Sequence, residues 1–526
     1  MKMKFGRHYS AGDCERLFGE GFDLPQGFMF GCANAAYQVE GGLNGHGEPL
    51  NNWVEFERDG RVEPSGEAVR FWTDYPEQLE MARGMGLNAF RVGIEWARVQ
   101  PETSTTLKSE PAFDDRAVEA YADMIAAVMG AGMEPVVTLH HFTHPYWLGL
   151  DPWLSTADVG RYESYVKKVT GDINRLLLEK HSARPIKYWI TTNEPNGFAM
   201  LTYLLRVFPR RRTGLRDMFL AWSNLIDGHC RAYDSIHRLY SENSWAEPMV
   251  SYNTIHIAQY GVDKIMADLL NARRNGVERK DLAEYLAEGK RSWDAEIARC
   301  PEVAKPMPGA KSLEKLLSWG ADRFVDPARF ENGIRAIYAS EFEDKLDYVA
   351  VDFYDPFART MLKMPTLQDV REKRINLNAE HWEWVLNPVA MYHFLKADTI
   401  NAEGLPVFVV ENGMAHKVRD GRVEQRLDGA TRDTFLQAFI YEAMRAMKDG
   451  VPLIGYLYWS MVDNYEWGSY EPRFGIFTVD RSREPVKISS VDAWGTNAAA
   501  AYGGIITALE KGDRTAIVDA FTRDSY

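Results

Sequence analysis

The sequence predicts a closed parallel (β/α)8 TIM barrel of the α/β class, and three observations predict it. Eight short apolar, β-branched or aromatic runs alternate with segments of helical period, at residues 27–35, 88–94, 135–139, 186–191, 249–254, 347–353, 406–410 and 452–458. Run after run finishes in polar or aromatic groups: Gln38 and Glu40, Arg91 and Glu95, His140 and His141, Asn193 and Glu194, Asn253, Asp352 and Tyr354, Glu411, and Trp459. The chain has 526 residues, more than an average domain, yet one barrel with insertions absorbs that length. In a closed barrel those strand ends converge on one face, where catalysis sits. In a doubly wound open sheet, the alternative, they would spread along an edge.

The connecting segments read as helices. Across 115–130, Val118, Tyr121, Met124, Ile125, Val128 and Met129 fall at three- and four-residue spacing and make one apolar stripe. Several helices then stop the same way. Gly132 precedes Pro135, Gly404 precedes Pro406, and Gly450 precedes Pro452. Glycine accepts the left-handed cap, and proline opens a strand without removing a needed donor. Repeated units of this kind imply a parallel sheet.

The spacing is uneven. The segment 255–346 between the fifth and sixth strands is longer than one crossover needs. Its charged stretch 263–319 reads as a helical excursion inserted in the single barrel domain 1–526. Residues 481–526 form a C-terminal extension with an Ala/Gly-rich stretch at 497–506.

Composition narrows the function. Hydrophobic residues are 45% and charged residues 26%, ordinary for a soluble globular chain with a large core. The net charge of −14 gives no attraction for nucleic acid or for an anionic membrane surface. The four cysteines, Cys14, Cys32, Cys230 and Cys300, form no CxxC. They read as free thiols in a reducing compartment, so a cytoplasmic location is expected. The N-terminal residues carry two lysines without an apolar segment behind them, and no apolar run spans a membrane.

Two glutamates carry the candidate chemistry. Glu194 follows the fourth strand in Thr191-Thr-Asn-Glu-Pro195, and Glu411 follows the seventh in Val409-Val-Glu-Asn-Gly413. Glycosidic bond cleavage needs a carboxylic acid that protonates the leaving oxygen and a carboxylate that attacks the anomeric carbon or activates water. The acid needs a raised pKa, and the nucleophile must stay ionised. Arg91, placed beside Glu411, would hold it charged. Asn193 would donate to a sugar hydroxyl. The plain alternative is that each glutamate caps a helix or forms a loop salt bridge.

The motifs together resemble glycoside hydrolase family 1. Ala35-Ala-Tyr-Gln-Val-Glu-Gly41 is similar to SAYQxEG, and Asn88-Ala-Phe-Arg-Val-Gly-Ile-Glu-Trp-Ala-Arg98 to NxYRFSISWSR. Val137-Thr-Leu-His-His-Phe-Thr-His-Pro145 resembles VTLxHWDxP, Thr192-Asn-Glu-Pro195 the acid/base motif, and Val410-Glu-Asn-Gly413 the nucleophile motif. Gly455-Tyr-Leu-Tyr-Trp-Ser-Met-Val-Asp-Asn-Tyr-Glu-Trp467 with Arg473-Phe-Gly475 resembles GYxxWSxxDNFEW…RFG. The matches run in family order from about residue 25 to 480.

The resemblance implies a retaining exo-β-glycosidase with Glu194 as acid/base and Glu411 as nucleophile. Gln38, His141, Asn193, Trp459, Glu466 and Trp467 would line the glycone pocket, Phe142 beside them, and Tyr354 would orient Glu411. Gln, His and Glu side chains offer directed donors and acceptors to a ring of hydroxyls, and the tryptophans offer flat faces to its C–H side. Three positions depart from the family pattern. Phe142 replaces a Trp and loses one indole N–H. Asp352 replaces an Asn, and like-charge repulsion from it would raise the pKa of Glu194. Glu95 replaces a Ser.

A small-molecule β-glycoside is the expected partner, with no cofactor. His140, His141 and His144 match no metal motif of known mechanics, and the glycoside mechanism needs no metal. Glu466 would repel the phosphate of a 6-phosphoglycoside. The presence of Glu194 argues against the thioglucosidase branch, which lacks the acid/base carboxylate. Two other functions use the same residues: a transglycosylase serving a lipid, sterol or alcohol acceptor, and a non-catalytic sugar-binding protein. The segment 204–212, LLRVFPRRR, reads as a solvated loop or as an apolar acceptor entrance.

Overall fold

The computed structural model describes residue 5 and residues 9–104, 110–301, 323–356, 380–419 and 421–522. The strands are β1 (Met29–Ala33), β2 (Ala89–Gly93), β3 (Glu134–Thr138), β4 (Tyr188–Ile190), β5 (Met249–Ser251), β6 (Asn253–Ile255), β7 (Val349–Phe353), β8 (Val407–Asn412), β9 (His416–Arg419), β10 (Arg422–Glu424), β11 (Leu453–Trp459), β12 (Pro472–Arg473), β13 (Val479–Asp480) and β14 (Lys487–Ile488). In the barrel β1 pairs with both β2 and β11, and each pairing around the ring is parallel. The sheet order β5-β4-β3-β2-β1-β11-β8-β7-β6 ends on two strands that follow each other in sequence. The single fifth strand expected at 249–254 is therefore interrupted at Tyr252. Its first half bonds β4, its second half bonds β7, and the chain turns from one neighbour to the other between them.

Strand alternation sorts the side chains into two layers. Met29, Ala33, Ala89, Val136, Ile190, Tyr348, Ala350, Phe408, Val410 and Leu457 cluster together inside the ring. Phe30, Cys32, Phe90, Val92, Val137, Trp189, Val351, Val409 and Tyr456 belong to the larger core under the helices. Arg91, two residues after Ala89, falls on the inner face and is fully buried.

Strict alternation would send Glu411 outward with Val407 and Val409. The register prevents this. Val351 faces Val409 while the next residue, Asp352, faces Glu411, so β8 holds one more residue than β7 over that step. The same extra residue appears against β11, where Tyr456 faces Val409 and Tyr458 faces Asn412. A bulge of this kind re-aims one side chain, and here it turns Glu411 to the inside.

The helices cover the barrel as their sequences direct. The helix Asp115–Gly130 starts at Asp114, whose side chain accepts from Arg116 N. It buries Val118, Tyr121, Met124, Ile125 and Val128, while Met129, at the edge of the expected stripe, is only half-buried. Thr156–His181 starts at Ser155, whose side chain accepts from Asp158 N, and packs its Val159, Tyr162, Val166, Val169, Ile173 and Leu177 stripe inward.

Within 255–346 the described residues form the α-helices Tyr260–Asp263, Ile265–Asn271, Leu282–Ile297 and Glu331–Ala339. Residues 302–322 of the expected excursion lie outside the described residues. Leu282–Ile297 packs on Pro388–Asp398, with Trp293 edge-on to Phe394 at 5.9 Å. After residue 481 the chain forms the helices Ala498–Lys511 and Arg514–Thr522. Tyr502 donates to Gly31 O at 2.9 Å, and a Cβ on Gly503 would stand 2.9 Å from Met85 O. The small residues of this stretch thus let the helix approach the strand-start end of the barrel closely.

One buried cation ties three segments near the strand ends. Arg432, fully buried, donates to Met414 O at 2.7 Å, Phe474 O at 2.8 Å and Arg473 O at 3.1 Å, and pairs with Asp492 at 3.3 Å. Arg432→Leu should destabilise the fold by about 3–5 kcal/mol, the usual cost of stranding a buried ionic partner. A thermal melt that stays in place would contradict this.

Candidate active site

The chain after β4 carries Glu194 in a conformation that needs support. Its backbone is left-handed, at φ 38° and ψ 59°, which costs a non-glycine residue about 1–3 kcal/mol. Hydrogen bonds over-determine it. Thr191 N donates to Ser251 O, Asn193 N to His140 O, and Glu194 N to Asn253 O, at 2.8 to 3.0 Å. The helix Pro195–Ala199 then begins, with Phe198 N on Glu194 O at 2.8 Å. A Cβ on Gly197 would sit 3.0 Å from Glu194 Oε2, so the absent side chain makes room for the carboxylate.

Glu411 reaches the same space from β8. Arg91 Nη1 donates to its Oε1 at 2.5 Å, and Tyr354 OH donates to its Oε2 at 2.9 Å. Arg91 itself is held on two other sides, by Thr138 Oγ1 at 2.8 Å and Asn193 Oδ1 at 2.6 Å. Gly413 has no room for a side chain, since a Cβ there would lie 2.0 Å from Trp459 O. The glycine lets β8 and β11 close together at the mouth.

Carboxylate oxygens of Glu194, Asp352 and Glu411 lie within 4.8 Å of one another. Retaining glycosidases hold their two carboxyl groups about 5–5.5 Å apart, and inverting ones about 6.5–9.5 Å. One oxygen of each glutamate within 4.8 Å of the other is the close approach expected of the shorter class. Burial, and then the Glu411 charge, push Glu194 up to about 8. Burial also raises Glu411, but Arg91 and the Tyr354 hydroxyl oppose the rise. Burial thus raises both glutamates, and only Glu411 has a bonded guanidinium and a phenol hydroxyl that favour its charged form, as a nucleophile requires.

Asp352 acts on Glu194 in the opposite sense to the sequence expectation. Burial, Glu411 and Glu194 drive Asp352 well above the usual carboxylate range, into its neutral form. A neutral acid donates, and its hydrogen bond pulls Glu194 down. Asn253 Nδ2 holds Asp352 Oδ2 and also Asn193 Oδ1, the latter at 2.8 Å.

The other expected pocket residues gather beside this centre. Gln38 Nε2 donates to Glu466 Oε2 at 3.1 Å, and Asn464 Nδ2 to the same oxygen at 2.8 Å. Burial raises Glu466 to about 8, against those hydrogen bonds. The His141 ring lies nearly parallel to both Trp459 and Trp467, each 5.8 Å away. Burial, then the Arg91 charge, holds His141 well below the usual imidazole range, so it is neutral. Phe142 packs against Trp467 at 5.0 Å and Phe208 at 5.1 Å. Its ring joins an aromatic wall.

His140 and His144 sit apart from that pocket. His140 lies edge-on to Trp153, and His144 Nε2 meets Gly149 O at 3.2 Å. Among the described residues, Glu194, Asp352 and Glu411 could bracket a cation, but the Arg91 guanidinium already supplies positive charge to Glu411. Glu95, the third departure, accepts from Thr143 Oγ1 at 2.7 Å and caps Ala97 N. It ties the turn after β2 to the His141 loop.

Three contributors were not singled out from sequence. Thr138 is a strand-end residue on the inner face, which alternation alone could have flagged; Asn253 was read as a polar strand end but given no role. Asn464 lies inside the quoted Asp463-Asn-Tyr-Glu466 motif. His381 follows a stretch with no motif, and its Nε2 stands 3.7 Å from Glu466 Oε1.

Comparison with known proteins gives a consistent set. Glycosyl hydrolase family 1 matches over residues 22–280 and 334–492. Beta-glucosidase A of Thermotoga maritima is 25% identical over 497 residues, covering 90% of this chain and 97% of its own. The 6-phospho-beta-galactosidase of Lacticaseibacillus casei is 26% identical over 485 residues, covering 87% and 94%. Among solved structures, the beta-glucosidase from Thermotoga maritima in complex with deoxynojirimycin superposes with a TM-score of 0.65 at 22% identity, covering 93% of this chain and 99% of its own.

The guanidinium makes a clear prediction. Arg91→Met should move the Glu411 carboxyl titration to higher pH, since a cation that lowers a carboxyl pKa is lost. Infrared difference titration of the carboxyl stretch, with Glu411→Gln as the assignment control, reads this directly. An unchanged titration would contradict the arrangement.

Proposed function

The chain belongs to glycosyl hydrolase family 1 and is a retaining, beta-glucosidase-like glycoside hydrolase, and on that premise we propose that it is an exo-acting enzyme of O-linked β-glucosides, with β-galactosides and β-fucosides as further substrates. Glu411 is the nucleophile and Glu194 the acid/base. The observation that supports this most is the spacing of the two carboxylates, within 4.8 Å, with a guanidinium on one and none bonded to the other.

In the first step a Glu411 oxygen bonds to C1 as the glycosidic C1–O bond breaks. The Glu194 proton goes to the leaving oxygen. In the second step Glu194 takes a proton from water, whose oxygen bonds to C1 as the glycosyl ester to Glu411 breaks. Arg91 and Tyr354 hold the nucleophile in place throughout. Gln38, His141, Asn193 and Glu466 bind sugar hydroxyls, and Trp459 and Trp467 cover its apolar face. Phe142 fills the wall without offering an N–H.

Glu466 argues for a neutral sugar rather than a 6-phosphoglycoside, because a buried carboxyl group held by Gln38 and Asn464 offers no cation to a phosphate. The intact pair of glutamates argues against a sugar-binding protein without turnover. A second reading, transfer to an apolar alcohol, draws support from Leu204, Leu205 and Val207, exposed in one short stretch after Glu194. Products formed with and without an alkyl alcohol decide between water and alcohol as acceptor.

Glu411→Gly should lower kcat on an aryl β-glucoside by at least about 10⁴-fold, with azide restoring part of it and giving the α-glycosyl azide. Retained activity would exclude the assignment. The acid form of Glu194 is needed for the first step, so kcat/KM should fall as pH rises through about 8. Glu194→Gln should remove that basic limb on a substrate whose leaving group needs no protonation. A limb that survives the substitution belongs to another group.

A further inference from the structure

Glu466 and His381 face each other across a gap. Glu466 Oε2 accepts from Gln38 and Asn464. On the other side, Oε1 stands 3.7 Å from His381 Nε2, too far for a direct hydrogen bond. An oxygen about 2.8 Å from each closes a triangle on that base. A hydroxyl there accepts from the imidazole N–H and donates to the carboxyl oxygen of Glu466.

The imidazole is held there by the fold. His381 opens the short turn His381–Glu383, closed at its start by a reciprocal capping box between Glu380 and Glu383. The turn is anchored from two directions. Val385 N donates to Asp355 Oδ2 at 2.9 Å, just after β7, and Arg426 Nη2 donates to Trp384 O at 2.8 Å. The ring packs on Trp384 at 4.7 Å and Phe474 at 5.8 Å. Burial holds His381 down to about 4, so near neutral pH it is an uncharged ring with one N–H to give. Glu466 lies outside the cluster of three carboxylates around the reacting centre.

We propose that His381 is a specificity-determining residue of the glycone pocket: its N–H and the Glu466 carboxylate hold one sugar hydroxyl between them, at a carbon other than C1. This rests on the β-glycosidase reading and adds a recognition contact to it. Phe142 removes an N–H from one wall of the pocket, and His381 provides one from another. The contact selects glycosides that carry that hydroxyl in the matching orientation.

The test uses nitrophenyl β-glucoside and its 3-, 4- and 6-deoxy analogues. Wild type should discriminate against one analogue in particular. His381→Phe, which keeps the ring packing, should lower kcat/KM for the parent glucoside about 5- to 100-fold, the range of one buried hydrogen bond lost. It should also shrink the penalty for that one analogue, since only the Glu466 contact remains to that hydroxyl, and leave the other two penalties unchanged. His381→Gln, which keeps a donor, should retain most of the discrimination. A uniform loss across all four substrates, or no loss, would overturn the proposal.

Calorimetric binding of 1-deoxynojirimycin and its singly deoxygenated counterparts reads the same ratios without turnover. If wild type hydrolyses none of the glucosides, the catalytic reading fails, and the binding ratios still decide whether His381 grips a hydroxyl.

Discussion

The buried ion pair between Arg91 and Glu411 is the interaction on which the site depends. Both side chains are out of solvent, at 0% and 5% exposure, with 2.5 Å between Nη1 and Oε1. Removing two charges from water costs several kcal/mol per ion, and only good geometry and further hydrogen bonds offset it. Here the offset comes from Thr138, Asn193 and Tyr354, each on a different strand or strand end. The charge of Glu411 in turn raises Glu194 and Asp352. One guanidinium thus sets the protonation order of the cluster.

Two irregularities in the barrel serve that cluster. The extra residue in β8 turns Glu411 inward, where the pattern of the strand alone would have pointed it out. The interruption at Tyr252 frees β6 to pair with β7, and Asn253 then reaches both Asn193 and Asp352. Glycines complete the fit at Gly197 and Gly413, where a methyl group would meet Glu194 or the Trp459 carbonyl. Local departures from regular structure concentrate where reactive groups must be aimed.

Much of this was legible in the sequence, for a physical reason. Strand period, glycine-proline punctuation and polar strand ends are local signals, so the eight ring positions and the convergent face could be read without coordinates. Arg91 lies two residues from Ala89 on the inner face, and alternation places it there. The β8 bulge was not legible, because it is a property of pairing with β7 and β11 rather than of β8. The direction of the Asp352 effect was missed because it depends on which buried acid keeps its proton, and that follows from the summed burial of three carboxylates. His381 was missed because its partner, Glu466, is far away in sequence and no motif surrounds it.

The central claim is that Glu411, held by Arg91, is the atom donor that bonds to C1. Incubation with 2,4-dinitrophenyl 2-deoxy-2-fluoro-β-glucoside, followed by digestion and peptide mass mapping, tests it most directly. A fluoroglucosyl adduct on the peptide carrying Glu411, formed in step with loss of activity, is the predicted result. An adduct on another carboxylate, with Glu411 unmodified, would contradict the account.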